Sequence, residues 1–151
     1  EKQKVKFIYG IMEKQFRRYY DLAAKKEGKT GTVLLTTIER RLDNVVFRLG
    51  LASSRREARQ LVNHAHFTVN GQKVNIPSYM TKPGDVIKVK DSSRSKARFK
   101  EIAEGETKSM VSPKWLEKDA DLLGGKVIAM PERDDIDYQV EEHLIVELYS
   151  K

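Results

Sequence analysis

The sequence predicts an α+β fold in which helices predominate and two short helices pack on a small antiparallel sheet. Apolar residues recur at every third or fourth position through residues 2–27, 42–49 and 54–65, which is typical of amphipathic helices. Turn signals and alternation follow between residues 67 and 90, and they favour antiparallel strands. At 151 residues the chain is long enough to bury a core, in one domain or in two small ones.

The first predicted element is one long helix over residues 2–27, stopped by Gly28. Its apolar stripe consists of Val5, Ile8, Met12, Phe16, Tyr19 and Ala23. A second helix is expected to begin at Thr32. Its restart at Thr36 is left open, because Thr36-Thr37-Ile38-Glu39 has the pattern of a capping box.

The next two predicted helices are short, and each has an apolar side. The first contains Leu42, Val45, Val46 and Leu49 and is ended by Gly50. The second begins with Ser54-Arg55-Arg56-Glu57, a capping box in which the Ser54 hydroxyl accepts from the Glu57 amide and the Glu57 side chain reaches back. Its expected buried side is Ala58, Leu61, Val62 and Ala65, and its polar side is Arg56, Arg59, Gln60 and Asn63.

The remaining pattern predicts a small sheet and two more helices. Asn70-Gly71 is a strong signal for a hairpin turn. Residues 86–90 alternate as a half-buried strand with Lys88 and Lys90 outward. The basic segment after residue 91 is expected to become helical through Ala103, and residues 126–130 are expected to form the last strand. Residues 140–148 fit a helix, with a strand over residues 144–146 as the alternative.

Charge is distributed unevenly along the chain, whose formal net charge is +7. Residues 1–30 carry nine Lys or Arg against four Asp or Glu, and residues 31–103 carry fourteen against six. Residues 104–130 are nearly balanced, and residues 131–151 carry two against seven. A basic, lopsided chain favours a polyanionic partner, commonly nucleic acid. The acidic end is either an ordinary solvated face or a contact for a basic protein.

The anion site is predicted at the start of the helix capped by Ser54. Arg55 lies in the first turn, where a basic side chain opposes the helix dipole but suits a phosphate bound at the helix N-terminus. Together with Arg56 and Arg59 it offers three guanidinium groups to phosphates. A compact set of arginines with few free aromatic residues favours duplex or folded RNA over stacked single strands.

Other chemistry has little support in the sequence. The absence of cysteine excludes disulfides and thiolate metal sites. His64 and His66 are two positions apart, so they do not share a helix face and are not predicted to bind a metal. No serine lies in a nucleophile-elbow sequence, and no apolar run approaches the roughly 20 residues of a membrane span. We therefore expect no catalytic residues, no cofactor, no metal and no membrane.

Four motifs resemble the RNA-binding module named after ribosomal protein S-four. They are Arg41-Leu42-Asp43-Asn44-Val45-Val46-Phe47-Arg48-Leu49-Gly50, Ser54-Arg55-Arg56-Glu57-Ala58-Arg59-Gln60-Leu61-Val62, Val69-Asn70-Gly71 and Gly84-Asp85-Val86-Ile87. Both flanks are similar to the bacterial ribosomal protein S-four family itself, at Glu1-Lys2-Gln3-Lys4-Val5, Tyr9-Gly10, Gln15-Phe16-Arg17-Arg18-Tyr19-Tyr20 and the ending from Glu142 to Lys151. The N-terminal segment that family members carry before this point is expected to be absent.

The resemblance implies a helical domain, residues 1–41 plus 125–151, into which an RNA-binding module, residues 42–124, is inserted. It implies binding to the five-prime domain of small-subunit ribosomal RNA early in assembly, contact with ribosomal protein S-five and an influence on decoding accuracy. The protein is expected to be cytoplasmic, in the ribosome, and a monomer when free. Some members also repress translation by binding their own messenger RNA, and for this chain that point is left open.

The residues predicted to bind RNA come from the helix capped by Ser54, the hairpin, and the basic side chains of the first and third predicted helices. They are Lys2, Lys4, Lys6, Arg17, Arg18, Arg48, Ser54, Arg55, Arg56, Arg59, Gln60, Asn63, His64, Asn70 and Lys73. Two alternatives use the same module: a fragment of an RNA-modifying enzyme or synthetase, and a free-standing translational repressor. The enzyme is disfavoured because only about 70 residues remain outside the module.

Overall fold

The structure is a computed structural model that describes residues 1–150; Lys151, at which the C-terminal motif ends, lies outside the described residues. Glu1–Glu39 and the described residues from Pro131 onward form one compact unit, the terminal unit, and Arg40–Met130 form the other, the central unit. The predicted limits at 41/42 and 124/125 differ from these, and at the second limit the reason is that Gly124–Val127 is a strand of the central sheet. Whether the two parts fold as independent domains stays a prediction.

Among residues 1–150, seven α-helices and one five-stranded antiparallel sheet confirm the predicted α+β class. The helices are α1 (Lys2–Tyr9), α2 (Glu13–Ala24), α3 (Thr30–Glu39), α4 (Leu42–Arg48), α5 (Arg55–Asn63), α6 (Ala97–Ala103) and α7 (Glu142–Tyr149). The strands are β1 (Phe67–Val69), β2 (Gln72–Lys73), β3 (Val86–Val89), β4 (Leu116–Lys118) and β5 (Gly124–Val127).

The single helix predicted over residues 2–27 is wrong, because the chain leaves helical geometry between α1 and α2. Gly10 has φ 68°, a left-handed conformation that glycine adopts without a Cβ clash, and the amide of Ile11 donates to the Lys6 carbonyl at 3.0 Å. The apolar spacing continues across this break. Of the predicted stripe, Val5, Phe16, Tyr19 and Ala23 are buried and Ile8 is half-buried, but Met12, which precedes α2, is 73% exposed. Periodicity therefore identified most of the buried positions and missed the turn between the helices.

Helix α3 begins at Thr30, two residues before the predicted start, and it does not restart at Thr36. The Thr36 hydroxyl donates to the carbonyls of Thr32 at 2.9 Å and Val33 at 3.3 Å, within its own helix. At the far end of the chain, α7 confirms the helix and excludes the strand that had been left as an alternative.

The terminal unit has a core of apolar and aromatic side chains from all four of its helices. Its buried helical residues are Val5 and Tyr9 of α1, Phe16, Tyr19, Tyr20 and Ala23 of α2, Leu34, Leu35 and Ile38 of α3, and Ile145 of α7. Helices α3 and α7 pack closely at Gly31, where a Cβ would lie 2.7 Å from Cγ of Glu142. A larger residue there would force the two helices apart.

The sheet of the central unit has the strand order β2-β1-β3-β5-β4, with every neighbouring pair antiparallel. Asn70 and Gly71 connect β1 to β2 with φ values of 53° and 83°, and two positive φ angles characterise a type I′ turn. The predicted Asn-Gly hairpin is thus confirmed. Strand β3 also alternates, with Ile87 and Val89 buried and Lys88 exposed, but it ends at Val89, and Lys90, predicted to point outward, is half-buried.

The last part of the sheet differs from its prediction. Strand β5 covers residues 124–127 and not 126–130, and β4, which had no sequence prediction, pairs with it. Residues 128–130 are apolar but exposed, so their apolar character did not indicate a buried strand. At Gly125 a Cβ would lie 2.5 Å from Cδ2 of Leu49, so the missing side chain lets α4 pack against β5.

Helices α4, α5 and α6 enclose one hydrophobic core with the sheet. Its buried members include Leu42, Val45, Val46 and Leu49 of α4, Ala58 and Val62 of α5, Phe67 and Val69 of β1, Ile87 and Val89 of β3, and Phe99 and Ile102 of α6. Burial of this apolar surface holds α5 by one side only, because its other residues are polar.

Candidate nucleic-acid interface

Helix α5 begins at a side-chain cap, as predicted, but only half of the predicted capping box forms. The Ser54 hydroxyl accepts a hydrogen bond from the Glu57 amide at 3.1 Å. The Glu57 carboxylate reaches past Ser54 to Ser53, whose amide donates to it at 2.7 Å and whose hydroxyl donates at 3.0 Å. Two residues before the helix are therefore ordered by groups of its first turn.

The backbone that leads into α4 is held by a buried polar network. The Arg41 guanidinium donates to both oxygens of Asp43, at 3.1 and 3.0 Å, although both side chains are almost fully buried. Asp43 in turn accepts from the Asn44 amide at 2.7 Å. Because buried charges need partners, the ion pair with Asp43 gives Arg41 a structural role and makes it unsuitable as a phosphate ligand.

Arg55, predicted to bind phosphate, is tied into the same network. Its Nε donates to Oδ1 of the buried Asn44 at 2.8 Å, and its guanidinium carbon lies 4.6 Å from the centroid of the Phe47 ring. The side chain is half-buried. Its placement therefore joins the start of α5 to α4, and a role in RNA binding stays a prediction.

The outer side of α5 presents polar side chains to solvent. Arg56, Gln60 and Asn63 are exposed, whereas Ala58 and Val62 on the opposite side are buried. Arg59 is half-buried and has contacts within the protein. The predicted division into two faces is therefore confirmed at the five exposed or buried positions, whereas Leu61 is half-buried and Ala65 lies beyond the end of the helix. Among the three predicted arginines of α5, the exposed one is Arg56.

Two predicted residues lie at the ends of the neighbouring segments. Arg48, the last residue of α4, is half-buried and has contacts within the protein. His64 caps the end of α5 and is exposed.

His66, close to His64, has a structural position. Its Nδ1 lies 2.8 Å from the Ser93 hydroxyl, and its ring packs edge-on against Phe99 at 5.4 Å. Burial, and then the charges of Lys90 and Lys96 and the nearby His64, lower the pKa of His66, so it adds little positive charge near pH 7. No group of three or more His, Asp or Glu is arranged to hold a metal ion within residues 1–150.

The hairpin supplies the other two predicted residues of the central unit. Lys73 of β2 is exposed. Asn70 is also exposed as a residue, but both ends of its side-chain amide have protein partners: Nδ2 donates to Asp85 at 2.9 Å, and Oδ1 accepts from the Val86 amide at 2.8 Å. Of these two hairpin residues, Lys73 is thus an exposed cation, whereas the Asn70 side chain is bound to Asp85 and to β3.

The predicted lysines of the terminal unit all have partners within that unit. Lys2 and Lys6 both pair with Glu13, at 3.3 and 2.8 Å, and the hydrogen bond from Lys6 is the main cause that lowers the Glu13 pKa to about 2. The ammonium group of Lys4 donates to the Gln139 carbonyl. A phosphate would have to compete with these partners for each of the three lysines.

The two predicted arginines of α2 differ in the same respect. Arg17 pairs with Asp21 at 3.2 Å and lies 4.6 Å from the centroid of the Tyr149 ring. Arg18 is exposed and makes no side-chain hydrogen bond or ion pair in the described part of the chain. Of the predicted cations in the terminal unit, Arg18 is the most accessible to a phosphate.

Sequence reasoning assigned no role to Arg98, which is the most strongly engaged arginine near α5. Its Nε and Nη2 donate to the two oxygens of Glu57, at 2.7 and 3.0 Å. The hydrogen bonds that Arg98 donates to Glu57 and Glu106 raise its pKa against the opposing effect of burial. Burial by itself would raise the pKa of Glu57, but the bonds from Arg98 and Ser53 hold it below its ordinary value. Forty-one positions separate Arg98 from Glu57, so no local pattern could have revealed the pair.

No helix of residues 1–150 has both the length and the apolar character needed to cross a membrane. The arrangement has instead what a polyanion needs: exposed cations and amides on rigid elements. The family model described as "S4 domain" matches residues 40–87, and the one described as "Ribosomal protein S4/S9 N-terminal domain" matches residues 1–39.

Relatives match over the whole length of this chain. Proteins named "Small ribosomal subunit protein uS4" are 66% identical in Caldicellulosiruptor bescii, 63% in Halothermothrix orenii and 58% in Clostridioides difficile, each over 151 residues. In each case the alignment covers 100% of this chain and 72% of the relative. Both the RNA-binding segment and its flanks therefore have counterparts in one family.

Proposed function

The chain belongs to the small ribosomal subunit protein uS4 family, and on that premise we propose that it is a structural constituent of the small ribosomal subunit that binds ribosomal RNA. Its place of action is accordingly the ribosome, and we extend this to the cytoplasm. The relatives are named as ribosomal proteins, which confirms that the chain is not an enzyme and excludes the fragment of a modifying enzyme or synthetase.

The observation that carries the RNA site is the exposed polar face of α5, with Arg56, Gln60 and Asn63, on a helix whose start is capped by Ser54. A guanidinium can fork onto phosphate oxygens, and the side-chain amides add hydrogen bonds to phosphate, sugar or base edges. Rigid display of such groups suits folded RNA, which proteins recognise by shape and backbone contacts. Lys73 on the hairpin extends the positive field of the same unit.

Three finer points rest on the family resemblance. We propose binding to the five-prime domain of the ribosomal RNA early in assembly, contact with ribosomal protein S-five, and through that contact an influence on decoding accuracy. The acidic residues after position 131 have the charge expected of a surface that meets a basic protein. Chemical footprinting of small-subunit RNA with and without the protein tests the first point directly.

Repression of translation is the second candidate function, because the same α5 face would bind a folded messenger leader by the same contacts. It predicts tighter binding to that leader than to ribosomal RNA under identical salt conditions. Competition between the two RNAs for labelled protein separates these possibilities.

The α5 site is tested by replacing Arg56 and Arg59 with alanine together. Each lost phosphate contact should reduce the slope of log affinity against log salt by about one. We therefore expect a reduction of about one from Arg56 and a smaller further reduction from Arg59, which has contacts within the protein. The measurement is the dissociation constant for small-subunit RNA over a salt series. Binding at moderate salt should weaken in parallel.

A charge-matched control replaces two exposed lysines outside α5, Lys100 and Lys108, with alanine. This variant loses the same formal charge but should keep a salt slope close to that of the wild-type protein. An unchanged affinity in the Arg56 and Arg59 double variant would show that α5 is not the RNA site.

A further inference from the structure

Arg98 lies on α6, beyond residues 40–87 that match the RNA-binding domain, yet it contacts the first turn of α5. Its two hydrogen bonds to Glu57 form a fork, the geometry in which an arginine holds a carboxylate most strongly. The same guanidinium also contacts Glu106 and lies 3.6 Å from Glu101. Its hydrogen-bonding capacity is thus directed at carboxylates of the protein.

Glu57 passes this restraint on to the backbone before α5. The oxygen that accepts from Arg98 Nη2 also accepts from the amide and hydroxyl of Ser53. The Glu57 amide bonds the Ser54 hydroxyl, which closes the cap. One carboxylate therefore joins α6, the residue before the cap and the helix itself.

The turn between α4 and α5 is restrained at its other end as well. The Thr107 hydroxyl donates to the Gly50 carbonyl. Gly50 has φ +76°, and a Cβ there would lie 3.3 Å from both the Thr107 hydroxyl and the Lys118 ammonium nitrogen. The segment after α6 thus packs tightly on the turn between α4 and α5, which Arg98 of α6 also restrains through Glu57.

We propose that Arg98 is a positioning residue for RNA binding: through Glu57 it fixes the N-terminal turn of α5, so that Arg56 and the exposed face of α5 are held ready for the RNA. The inference rests on the proposed function. A turn that is ordered before binding loses less conformational entropy when the RNA binds. Arg98 acts through Glu57 rather than on phosphate, since its Nε, Nη1 and Nη2 atoms each already donate to a carboxylate of the protein.

Two substitutions of Arg98 separate positioning from charge. Arg98→Ala should weaken RNA binding about tenfold, within the range for coupled neighbours, with an unchanged salt slope. Arg98→Lys keeps the charge but cannot form the fork, so it should bind within about twofold of Arg98→Ala. Arg56→Ala is the contrasting variant, because it should reduce the slope by about one. Affinities are measured at a temperature at which circular dichroism shows every variant to be folded.

A double-mutant cycle tests whether Arg98 works through Glu57. In a Glu57→Ala background, Arg98→Ala should change RNA affinity less than twofold, since the contact it would break is already gone. A tenfold loss in that background would overturn the proposal. So would wild-type affinity in Arg98→Lys, or a slope reduced by one in Arg98→Ala.

Hydrogen exchange on the free protein gives a readout that needs no RNA. In Arg98→Ala the amides of Ser53 and Glu57 should exchange at least several-fold faster, while those of β1 and β3 keep their wild-type rates. Unchanged exchange at Ser53 and Glu57 would overturn the positioning role. If the wild-type protein itself fails to bind the RNA, the proposed function is wrong, and the exchange rates still decide whether Arg98 holds the turn.

Discussion

Asn70 shows how one side chain can satisfy a turn and a neighbouring strand together. Its φ of 53° is in the left-handed region, which asparagine tolerates better than most residues. Its amide links the hairpin to Asp85, a buried carboxylate that also accepts from the Lys82 amide at 3.0 Å. The predicted contact with RNA therefore has to use the one N–H and one lone pair that these bonds leave over.

Replacing Asn70 measures this structural role. Asn70→Ala should lower the free energy of unfolding by about 2 kcal/mol, because Asp85 loses a donor and the Val86 amide loses an acceptor. Asn70→Gly loses the same hydrogen bonds, but glycine has no Cβ and adopts a positive φ without a clash. It should therefore be about 1 kcal/mol more stable than Asn70→Ala. Urea denaturation gives both values. Equal stability of Asn70→Ala and the wild-type protein would rule out the role.

Neighbouring arginines illustrate what local sequence could predict about the candidate site. The spacing of apolar residues identified the buried side of α5, and Arg56, Gln60 and Asn63 are exposed as expected. It did not distinguish Arg55 from Arg56, because both lie in the first turn of the helix. Arg55 is half-buried because Asn44 and Phe47 lie beside it in the folded chain.

Helices α1, α2 and α7 meet around one carboxylate. Glu13, the first residue of α2, accepts from Lys2 and Lys6 of α1 and, at 2.9 Å, from the Tyr149 hydroxyl of α7. Burial and this hydrogen bond raise the pKa of Tyr149. The position also favours a negative charge, since it lies at a helix N-terminus. Glu13 thus links the start of α2 to both α1 and α7.

The Glu13 cluster predicts acid sensitivity of the terminal unit. The Glu13 pKa is about 2 in the folded protein, against 4.5 for the free group. A lowered pKa stabilises the fold above the unfolded value, so this contribution is present near pH 7 and is lost as the pH falls from about 4.5 to about 2. The melting temperature of Glu13→Gln should therefore be below that of the wild-type protein at neutral pH and approach it near pH 2.

Glu27→Gln is the matched control for this experiment, because Glu27 is exposed and makes no side-chain hydrogen bond or ion pair within the described residues. Its melting temperature should follow that of the wild-type protein throughout. A difference between Glu13→Gln and the wild-type protein that stays constant from pH 7 to pH 2 would contradict the assigned linkage.

For the molecule as a whole, folding redistributes the charge that the sequence arranges in blocks. The basic start and the acidic end both belong to the terminal unit, where 11 Lys or Arg stand against 12 Asp or Glu, a net −1. The central unit has 18 against 10, a net +8. Attraction to a polyanion is therefore expected to come mainly from the central unit, which also contains α5.

Contact of the terminal unit with RNA stays a prediction that one pair of variants can test. Arg18→Ala should reduce the salt slope of RNA binding by about one, and combined with Arg56→Ala the reduction should reach about two. Arg17→Ala should change the slope less, because Arg17 is already paired with Asp21. The wild-type slope in Arg18→Ala would show that this unit contributes no phosphate contact through α2.

Local physics alone determined the amphipathic faces of α4 and α5, the Ser54 cap and the Asn-Gly hairpin, because each depends on residues within about one helical turn of one another. The break at Gly10 escaped prediction, since the apolar spacing continues through it. Contacts distant along the chain decided the rest: Arg55 against Asn44, Arg98 against Glu57, and two oppositely charged ends in one unit. Such pairs form because burial requires a partner for each charge, and only the folded chain determines which residue that partner is.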